Sequence, residues 1–290
     1  MIMKNRLKVL AQYAIPKQAI TALAGKLAHY QAGNTTTKFI HWFVKRYNVN
    51  MAEAANNDIA SYKTFNEFFT RPLREGARPI AQADFICPVD GAISQFGRIE
   101  QDQIFQAKGH FYSTTALLGG DTSAAKRYEN GEFACLYLSP KDYHRIHMPC
   151  NGNLEKMTYV PGDLFSVNPV TAQGVPGLFA RNERVVCEFS SEQYGNFVMV
   201  LVGATIVGSM ATVWHNTKDG IINPPRSGHL QVWTYADQNI TLKQGDEMGR
   251  FLLGSTVVML FQKDMLQFNP AWQAAAPVKL GQVMGNKISN

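Results

Sequence analysis

The chain has 290 residues, of which 46% are hydrophobic and 17% are charged, and its formal net charge is +6. This length and composition allow a large buried core, in one large domain or two smaller ones, and exclude an intrinsically disordered protein. The four cysteines lie far apart without a Cys-x-x-Cys pair, so we expect a reducing compartment, no disulfide framework and no metal site.

The positive charge is concentrated in the first 52 residues. This segment carries eight basic side chains and no acidic one, whereas the rest of the chain carries slightly more acidic than basic residues. A basic segment without acids is suited to an anionic partner. That partner is either nucleic acid or the surface of an anionic membrane.

Three short amphipathic helices are predicted within residues 1–50. Apolar residues recur at helical spacing in three stretches, which Pro16 and Gly33-Asn34 separate. The three apolar faces consist of Met3, Leu7, Leu10 and Ala14, then Ile20, Leu23 and Leu27, then Phe39, Ile40, Phe43, Val44 and Tyr47. They either pack on the protein's own core or form a membrane foot, and the absence of acidic residues favours the membrane.

Two other membrane interpretations have less support. The apolar run Val9–Ile15 follows basic residues as in a signal peptide, but Gln12, Pro16 and Lys17 interrupt the apolar region. Residues 197–214 are uncharged over a length that could span a bilayer. Their glycines and β-branched residues are more typical of two buried strands joined by a turn.

Residues 61–290 are predicted to form a β-rich domain. Residues 61–80 are typical of a linker with one short helix, and from about Phe85 short apolar runs alternate with Gly, Pro, Asn and Asp. The sequence therefore predicts an α+β fold, in which helices within residues 1–60 precede a mainly antiparallel domain resembling a barrel or sandwich.

Three separate segments carry residues that can perform chemistry. The first has Asp90 beside a glycine turn, the second has His144 and His147, and the third has Gly254-Ser255 before an apolar strand. Each alone has an ordinary explanation as a turn, a surface or metal-binding pair, or a bulge. Together they supply the carboxylate, imidazole and hydroxyl of a nucleophilic triad, although a G-x-S-x-G motif is missing.

The same segments resemble one known family. Leu253–Thr256 is similar to the self-cleavage motif of the bacterial phosphatidylserine decarboxylases, Tyr137–Gly152 to their histidine segment, and Pro88–Ser94 to their aspartate segment. Four further stretches match in the right order, so the resemblance covers nearly the whole chain. They are residues 64–80, 159–169, 178–186 and 203–210.

This resemblance implies a pyruvoyl-dependent carboxy-lyase that cuts its own chain. Asp90, His147 and Ser255 would form the maturation triad, which breaks the Gly254–Ser255 bond. Ser255 would become the covalent pyruvoyl cofactor and Schiff-base site, and His144 would be the acid in decarboxylation. Self-cleavage within the catalytic domain would leave a mature enzyme made of a β chain, residues 1–254, and an α chain, residues 255–290, held as a heterodimer.

The resemblance also implies a substrate and a location. Phosphatidylserine would be converted to phosphatidylethanolamine and CO2 in phospholipid biosynthesis, by a peripheral protein on the cytoplasmic side of the cell membrane. Nucleic acid would not be a partner, and the heterodimers could assemble into a higher oligomer. The alternatives are a soluble pyruvoyl-dependent amino-acid decarboxylase, a serine hydrolase using Asp90, His147 and Ser255, and a non-enzymatic β-barrel binding module.

Overall fold

The structure is a computed structural model that describes residues 9–288, with gaps at residue 11 and at residues 206–208, 216–220, 223–227 and 253–255. The α-helices are α1 (Lys17–Ala28), α2 (Asn34–Tyr47), α3 (Phe65–Phe69), α4 (Thr114–Leu117), α5 (Thr122–Lys126), α6 (Pro169–Ala172) and α7 (Leu178–Arg181). Short 3-10 helices cover Met51–Glu53, Ile59–Ser61 and Ala236–Gln238.

Most of the remaining chain is β-structure. Up to residue 202 the strands are β1 (Phe85–Ile86), β2 (Gly91–Arg98), β3 (Gln103–Ala107), β4 (His110–Ser113), β5 (Glu132–Tyr137), β6 (Arg145–His147), β7 (Gly152–Val160), β8 (Arg184–Ser191) and β9 (Gly195–Val202). After residue 202 they are β10 (Met210–Thr212), β11 (Ile221–Ile222), β12 (Gln231–Thr234), β13 (Thr241–Leu242), β14 (Glu247–Phe251), β15 (Thr256–Phe261), β16 (Gln267–Phe268), β17 (Pro277–Val278) and β18 (Val283–Asn286).

The helices of the N-terminal segment begin where the sequence predicts. Residues Gln12–Ala14 are helical, α1 starts directly after Pro16, and α2 follows Gly33. Proline lacks an N–H and cannot continue a helix, so it separates the first two helical stretches. Of the first predicted apolar face, Met3 and Leu7 lie outside the described residues.

The apolar faces of α1 and α2 have different environments. Ile40 and Phe43 of α2 are buried in a small core with Phe65 and Phe68 of α3, as expected for helices that cover their own protein. The apolar side chains of α1 face solvent instead. The exposed large hydrophobic residues of this region are Leu10, Tyr13, Ile15, Ile20, Leu23, Leu27, Tyr30, Phe39 and Trp42.

A nine-stranded antiparallel sheet forms the centre of the β-rich region. Its order is β12-β7-β8-β9-β15-β5-β2-β17, and β13 also pairs with β7. Strand β15 lies in the middle, where each of its six residues pairs with both β9 and β5. Its side chains alternate, since Val257 and Met259 enter one hydrophobic core and Val258 and Leu260 enter the other.

The two faces of this sheet are covered by different elements. On one face the core also contains residues of the four-stranded sheet β11-β10-β14-β6 and the three-stranded sheet β1-β18-β16. On the other face it contains residues of α4–α7 and of the hairpin β3-β4. The α+β prediction is confirmed, in a layered arrangement and with no closed barrel in the described part of the chain.

Other sequence-based expectations can be compared directly with the structure. The uncharged residues 197–214 contain β9 and β10 rather than a long helix. Among the described residues, no helix is long and apolar enough to cross a membrane. The four cysteines are buried free thiols, which confirms that they form no disulfide framework.

Candidate active site

The segment that precedes the predicted cleavage bond is held in place up to Leu252. Gly254 and Ser255 themselves lie outside the described residues, as does Leu253. The N–H of Leu252 donates to the carbonyl of Ser209 at 3.2 Å. The carbonyl of Leu252 accepts from the buried side-chain amide of Asn66 at 2.7 Å.

The segment that follows the cleavage bond starts in the central sheet. Thr256 is the first residue of β15, and it pairs with Tyr137 of β5 on one side and with Val202 of β9 on the other. Its side chain is fully buried, and its hydroxyl has no hydrogen-bond partner among the described residues. A buried polar group of this kind is uncommon and indicates a functional site.

His144 is buried next to the end of β14, which belongs to the segment that precedes the cleavage bond. Its carbonyl accepts from the N–H of Phe251 at 3.0 Å, and its ring stacks on Phe69 with 4.1 Å between ring centroids. Neither ring nitrogen makes a hydrogen bond of good geometry to a residue that the structure describes. Burial, assisted by the positive charge of Arg71 and opposed by backbone groups of Ser139 and Pro140 near the ring, lowers the pKa of His144 to about 3, so the ring is neutral at pH 7.

The ring of His147 is held by two hydrogen bonds that assign its tautomer. Nδ1 lies 2.8 Å from the carbonyl oxygen of Gly245, and Nε2 lies 3.1 Å from the hydroxyl of Tyr143. Because a carbonyl can only accept, Nδ1 carries the proton and Nε2 carries the lone pair. The basic nitrogen of His147 is therefore Nε2, which accepts from Tyr143.

Asp90 makes its hydrogen bonds elsewhere. Its carboxylate accepts from the Nε and Nη2 groups of Arg78, with Nε 2.9 Å from Oδ1, and from the backbone N–H of Leu280 at 2.9 Å. The side chains of Asp90 and Arg78 are 9% and 7% exposed, so this pair is almost wholly shielded from water. Asp90 thus ties the linker before β1 to the C-terminal segment.

The Asp90–Arg78 pair extends into a larger ionic cluster. Arg78 Nη2 also lies 2.6 Å from a carboxylate oxygen of Glu53, and Glu53 accepts from Lys279 at 3.1 Å. The Arg78 hydrogen bond lowers the pKa of Glu53, and the hydrogen bond with Asp90 raises the pKa of Arg78. Glu53 and Arg78 therefore both stay charged at neutral pH.

Of the predicted triad, the structure describes Asp90 and His147, and their side chains share no hydrogen bond. The backbone N–H of His147 donates to the carbonyl of Pro88 at 2.9 Å, so strand β6 lies beside the turn that carries Asp90. The negative charge of Asp90 acts on His147 from a distance and raises its pKa slightly. The carbonyl of Gly245, rather than Asp90, contacts the ring.

A cavity of about 620 Å³ adjoins these groups. It is lined by Asp90 and Tyr143, by Tyr137, which pairs with Thr256, and by the buried guanidinium of Arg71. The walls come from the end of α2, the linker, β2 and the C-terminal segment. Through Tyr137, the cavity therefore reaches the strand residue that pairs with Thr256, the residue directly after Ser255.

Sequence reasoning missed several groups of this site. Tyr143 lies within the histidine segment, four residues before His147, and its position there was an available signal. Arg71 and Arg78 lie in a stretch with several arginines, where nothing distinguishes the buried ones from Arg74. The carbonyl of Gly245 carries no sequence signal, because any residue provides one.

The residues around the undescribed tripeptide fit a carbonyl group at position 255. The Thr256 hydroxyl and the His144 ring nitrogens are buried polar groups without a partner in the described part of the chain. Such groups are costly to bury unless a ligand or prosthetic group completes their hydrogen bonds. Thr256 directly follows position 255, and His144 contacts the strand that leads to it.

Comparison with known proteins agrees with these features. A family model described as phosphatidylserine decarboxylase matches residues 65–286, and one described as PSD matches residues 7–48. The phosphatidylserine decarboxylase proenzyme of Dechloromonas aromatica (strain RCB) is 69% identical over 287 residues, which are 99% of this chain and 100% of that protein. The proenzymes of Albidiferax ferrireducens (strain ATCC BAA-621 / DSM 15236 / T118) and Azoarcus sp. (strain BH72) are 66% and 64% identical over 98% and 99% of this chain, and 99% and 98% of their own lengths. The chain therefore belongs to the phosphatidylserine decarboxylase family of carboxy-lyases.

Proposed function

We propose that the protein decarboxylates phosphatidylserine with a pyruvoyl group that it makes from Ser255 by cutting its own chain. The observation that carries this proposal is sequence identity of 64–69%, over nearly the full length of the chain, to proteins named phosphatidylserine decarboxylase proenzymes. A proenzyme requires a processing step, and Gly254–Ser255 is the bond that the sequence resemblance assigns to it. Buried groups without partners on both sides of this bond support the assignment.

The cleavage reaction needs only a base, a hydroxyl and the peptide bond itself. The Ser255 hydroxyl loses its proton to the base and attacks the Gly254 carbonyl carbon. The C–N bond then breaks, the Ser255 nitrogen takes the proton back from the base, and an ester remains. Elimination across Cα and Cβ of Ser255 then releases Gly254 as a carboxylate. The resulting dehydroalanine takes up water and loses ammonia, which leaves pyruvoyl at position 255.

His147 is the base in this proposal. Its Nε2 lone pair can accept the Ser255 proton directly once the Tyr143 hydroxyl moves away, or through that hydroxyl, which would take the Ser255 proton as it gives its own to Nε2. The Gly245 carbonyl holds the ring in the tautomer that leaves Nε2 unprotonated. As His147 gains a proton, the nearby negative charge of Asp90 stabilises the imidazolium. Asp90 then contributes to maturation through its charge rather than through direct contact.

During turnover, the pyruvoyl carbonyl supplies an electron sink for the pair of electrons that CO2 leaves behind. His144 then provides a proton to the substrate α-carbon. Its ring is buried and makes no competing hydrogen bond to a described residue. Negative charge that develops beside it would raise its pKa and favour the protonated form needed for the transfer.

The two proposed chains would remain together after cleavage. The α chain, residues 255–290, would supply β15, the central strand, together with β16, β17 and β18. All six residues of β15 pair with two β-chain strands, so separating the chains would expose the middle of the core. This pairing supports a stable αβ heterodimer.

Mass spectrometry and an activity assay test the proposed function together. The purified protein is expected to contain fragments 1–254 and 255–290, the second with a blocked N-terminus that is a pyruvoyl (2-oxo-acyl) group rather than an amine. Vesicles of phosphatidylserine labelled at the serine carboxyl should release labelled CO2. One intact chain without CO2 release would refute the proposal, and fragments that act only on free amino acids would favour the soluble decarboxylase.

His144→Ala is expected to separate maturation from turnover. The variant should still cleave, at least in part, because His147 remains, but it should lose roughly 100-fold or more of its turnover, as expected for a missing general acid. Gel mobility measures cleavage and labelled CO2 measures turnover. An uncleaved His144→Ala protein, combined with normal cleavage by His147→Ala, would reverse the two roles.

The pH dependence of self-cleavage tests the state of His147. Burial is the largest influence and lowers the pKa of His147 below 6.5, opposed by Gly245, Glu247 and Asp90 and assisted by Arg145. The base must be neutral, so the rate of cleavage should fall only as the solution becomes acidic, with a midpoint below pH 6.5. Newly made precursor, shifted to each pH and followed on gels, provides the rate. A midpoint above 6.5 would contradict this role.

The exposed apolar residues of the N-terminal segment support peripheral membrane binding. Leu23 and Leu27 of α1 are 59% and 62% exposed, and Trp42 of α2 is 53% exposed. The same segment has eight basic residues within residues 1–52 and no acid. Basic residues attract the anionic leaflet, and apolar side chains insert into its interface. We infer that this face lies on the cytoplasmic leaflet of the cell membrane.

Replacing Leu23 and Leu27 together by glutamine is expected to weaken binding to phosphatidylserine vesicles by about 100-fold or more, since each buried leucine contributes about 1.5–3 kcal/mol and about 1.4 kcal/mol corresponds to a factor of ten. Replacing Leu230 and Val232, which are similarly exposed elsewhere, should change binding little. Sedimentation with vesicles measures both. High salt should release the unaltered protein only in part, and a mild detergent should release it fully; equal binding by both double variants would contradict the membrane face.

A further inference from the structure

Arg71 is a buried cation without a dedicated counter-ion. The residue is 4% exposed, and no described carboxylate forms a salt bridge with its guanidinium. Its Nε has no hydrogen-bond partner among the described residues. The other two nitrogens reach only the carbonyls of Phe68 and Lys141, at 3.3 and 3.5 Å. A buried charge in this state is costly and points to a missing anion.

The nearby carboxylates are engaged with other groups. Asp90 and Glu53 are both bound by Arg78. Asp142 accepts from the backbone N–H and the hydroxyl of Ser139, each at 2.7 Å. These carboxylates act on Arg71 only from a distance. Each of the carboxylates near Arg71 therefore already has hydrogen-bond partners of its own.

Local structure directs Arg71 toward the cavity. The Thr64 hydroxyl caps α3 by accepting from the N–H of Glu67 at 3.0 Å, and Arg71 follows the end of this short helix. Its guanidinium lies over the Phe68 ring, 5.1 Å from the centroid, and lines the cavity that also contains Asp90 and Tyr143. Lys141 adds a second positive charge at the exposed rim.

The cavity also opens where a lipid headgroup would arrive. Asn48, at the end of α2, is part of its lining, and the exposed Trp42 is on the same helix. The cavity therefore begins at the end of a helix that carries part of the proposed membrane face.

We propose that Arg71 binds the phosphodiester of the lipid substrate, a role that rests on the proposed function. A guanidinium can donate two parallel hydrogen bonds to a phosphate. The phosphate would then be the counter-ion that no described carboxylate provides for Arg71. The substrate carboxylate is the less suitable anion. An arginine that stabilised it would lower the energy of the ground state more than that of the transition state, in which this charge disappears with CO2.

The kinetic test uses dihexanoyl phosphatidylserine, a short-chain lipid whose use does not depend on binding to vesicles. Arg71→Gln is expected to raise KM by about tenfold or more, the usual range for a lost hydrogen bond to a charged group, and Arg71→Lys to raise it less. Arg74→Gln is the matched control, because Arg74 is exposed and on the same linker. Self-cleavage on gels reports whether each variant folds. An unchanged KM in cleaved Arg71→Gln protein would overturn the proposal.

A binding test removes the dependence on cleavage and activity. The uncleaved Ser255→Ala protein is titrated with glycerophosphoethanolamine and with glycerophosphoserine, with and without Arg71→Gln. Weaker binding of both ligands supports a phosphate site. Weaker binding of glycerophosphoserine alone assigns Arg71 to the carboxylate, and unchanged binding of both refutes its role; either overturns the proposal. If neither ligand binds to the uncleaved protein, the KM of cleaved Arg71→Gln protein for dihexanoyl phosphatidylserine decides between the two outcomes. Wild-type protein that binds glycerophosphoethanolamine through Arg71 but releases no CO2 would refute the proposed function alone.

Discussion

Ser255→Ala is expected to leave one uncleaved chain of 290 residues without decarboxylase activity. Alanine has no hydroxyl, so the acyl shift cannot begin, and no pyruvoyl group can arise at position 255. Activity should fall to the background of the assay, because the electron sink for decarboxylation is absent. Denaturing gels and labelled CO2 release measure the two effects.

Two other variants sharpen this experiment. Ser209→Ala alters a nearby serine whose backbone carbonyl accepts from Leu252, and it should cleave and react normally, since alanine keeps that carbonyl. Ser255→Cys should cleave slowly, because a thiol can also attack the Gly254 carbonyl. Complete cleavage of Ser255→Ala would reject the assigned bond, and loss of cleavage in Ser209→Ala would direct attention to the other serine.

Asp90→Asn is expected to stop self-cleavage and to destabilise the protein. The substitution removes the negative charge near His147 and turns an amide toward a guanidinium that is 7% exposed. Breaking a buried ion pair costs about 3–5 kcal/mol, and the remaining bond from Arg78 to Glu53 should bring the loss to the lower end. Urea unfolding in the uncleaved Ser255→Ala background measures the free energy of unfolding without the effect of cleavage.

Arg78→Gln separates the charge of Asp90 from its structural contacts. This variant breaks the same ion pair and should lose a similar amount of stability, but it leaves the negative charge of Asp90 in place. We therefore expect it to cleave, whereas Asp90→Asn does not. If both variants fail to cleave after equal losses of stability, Asp90 acts by holding Leu280 and the linker rather than through His147.

Local sequence was sufficient for much of the secondary structure. Pro16 and Gly33 predicted where helices α1 and α2 begin, since the first lacks an N–H and the second adopts a positive φ of 54°. The apolar run after Ser255 predicted strand β15. Both predictions depend on chain neighbours, whose constraints are present before any tertiary contact forms.

The contacts within the site were beyond local sequence. Asp90 was predicted to orient His147, yet its carboxylate binds Arg78 and the backbone of Leu280, 190 residues away. The His147 ring is held by a backbone carbonyl, whose position depends on the turn before β14. Distances between such groups depend on strand register and sheet order, which no short motif specifies.

The sequence by itself determined the family, the α+β class and the basic N-terminal segment, and it supplied the residues proposed for the chemistry. Only the tertiary structure decided that β15 is the central strand, that Leu23 and Leu27 of α1 are exposed while Ile40 and Phe43 of α2 are buried, and that Arg71 is buried with no salt bridge to a described carboxylate. Motif and composition are properties of adjacent residues. Burial, pairing and the absence of a partner arise only when distant segments of the chain pack together.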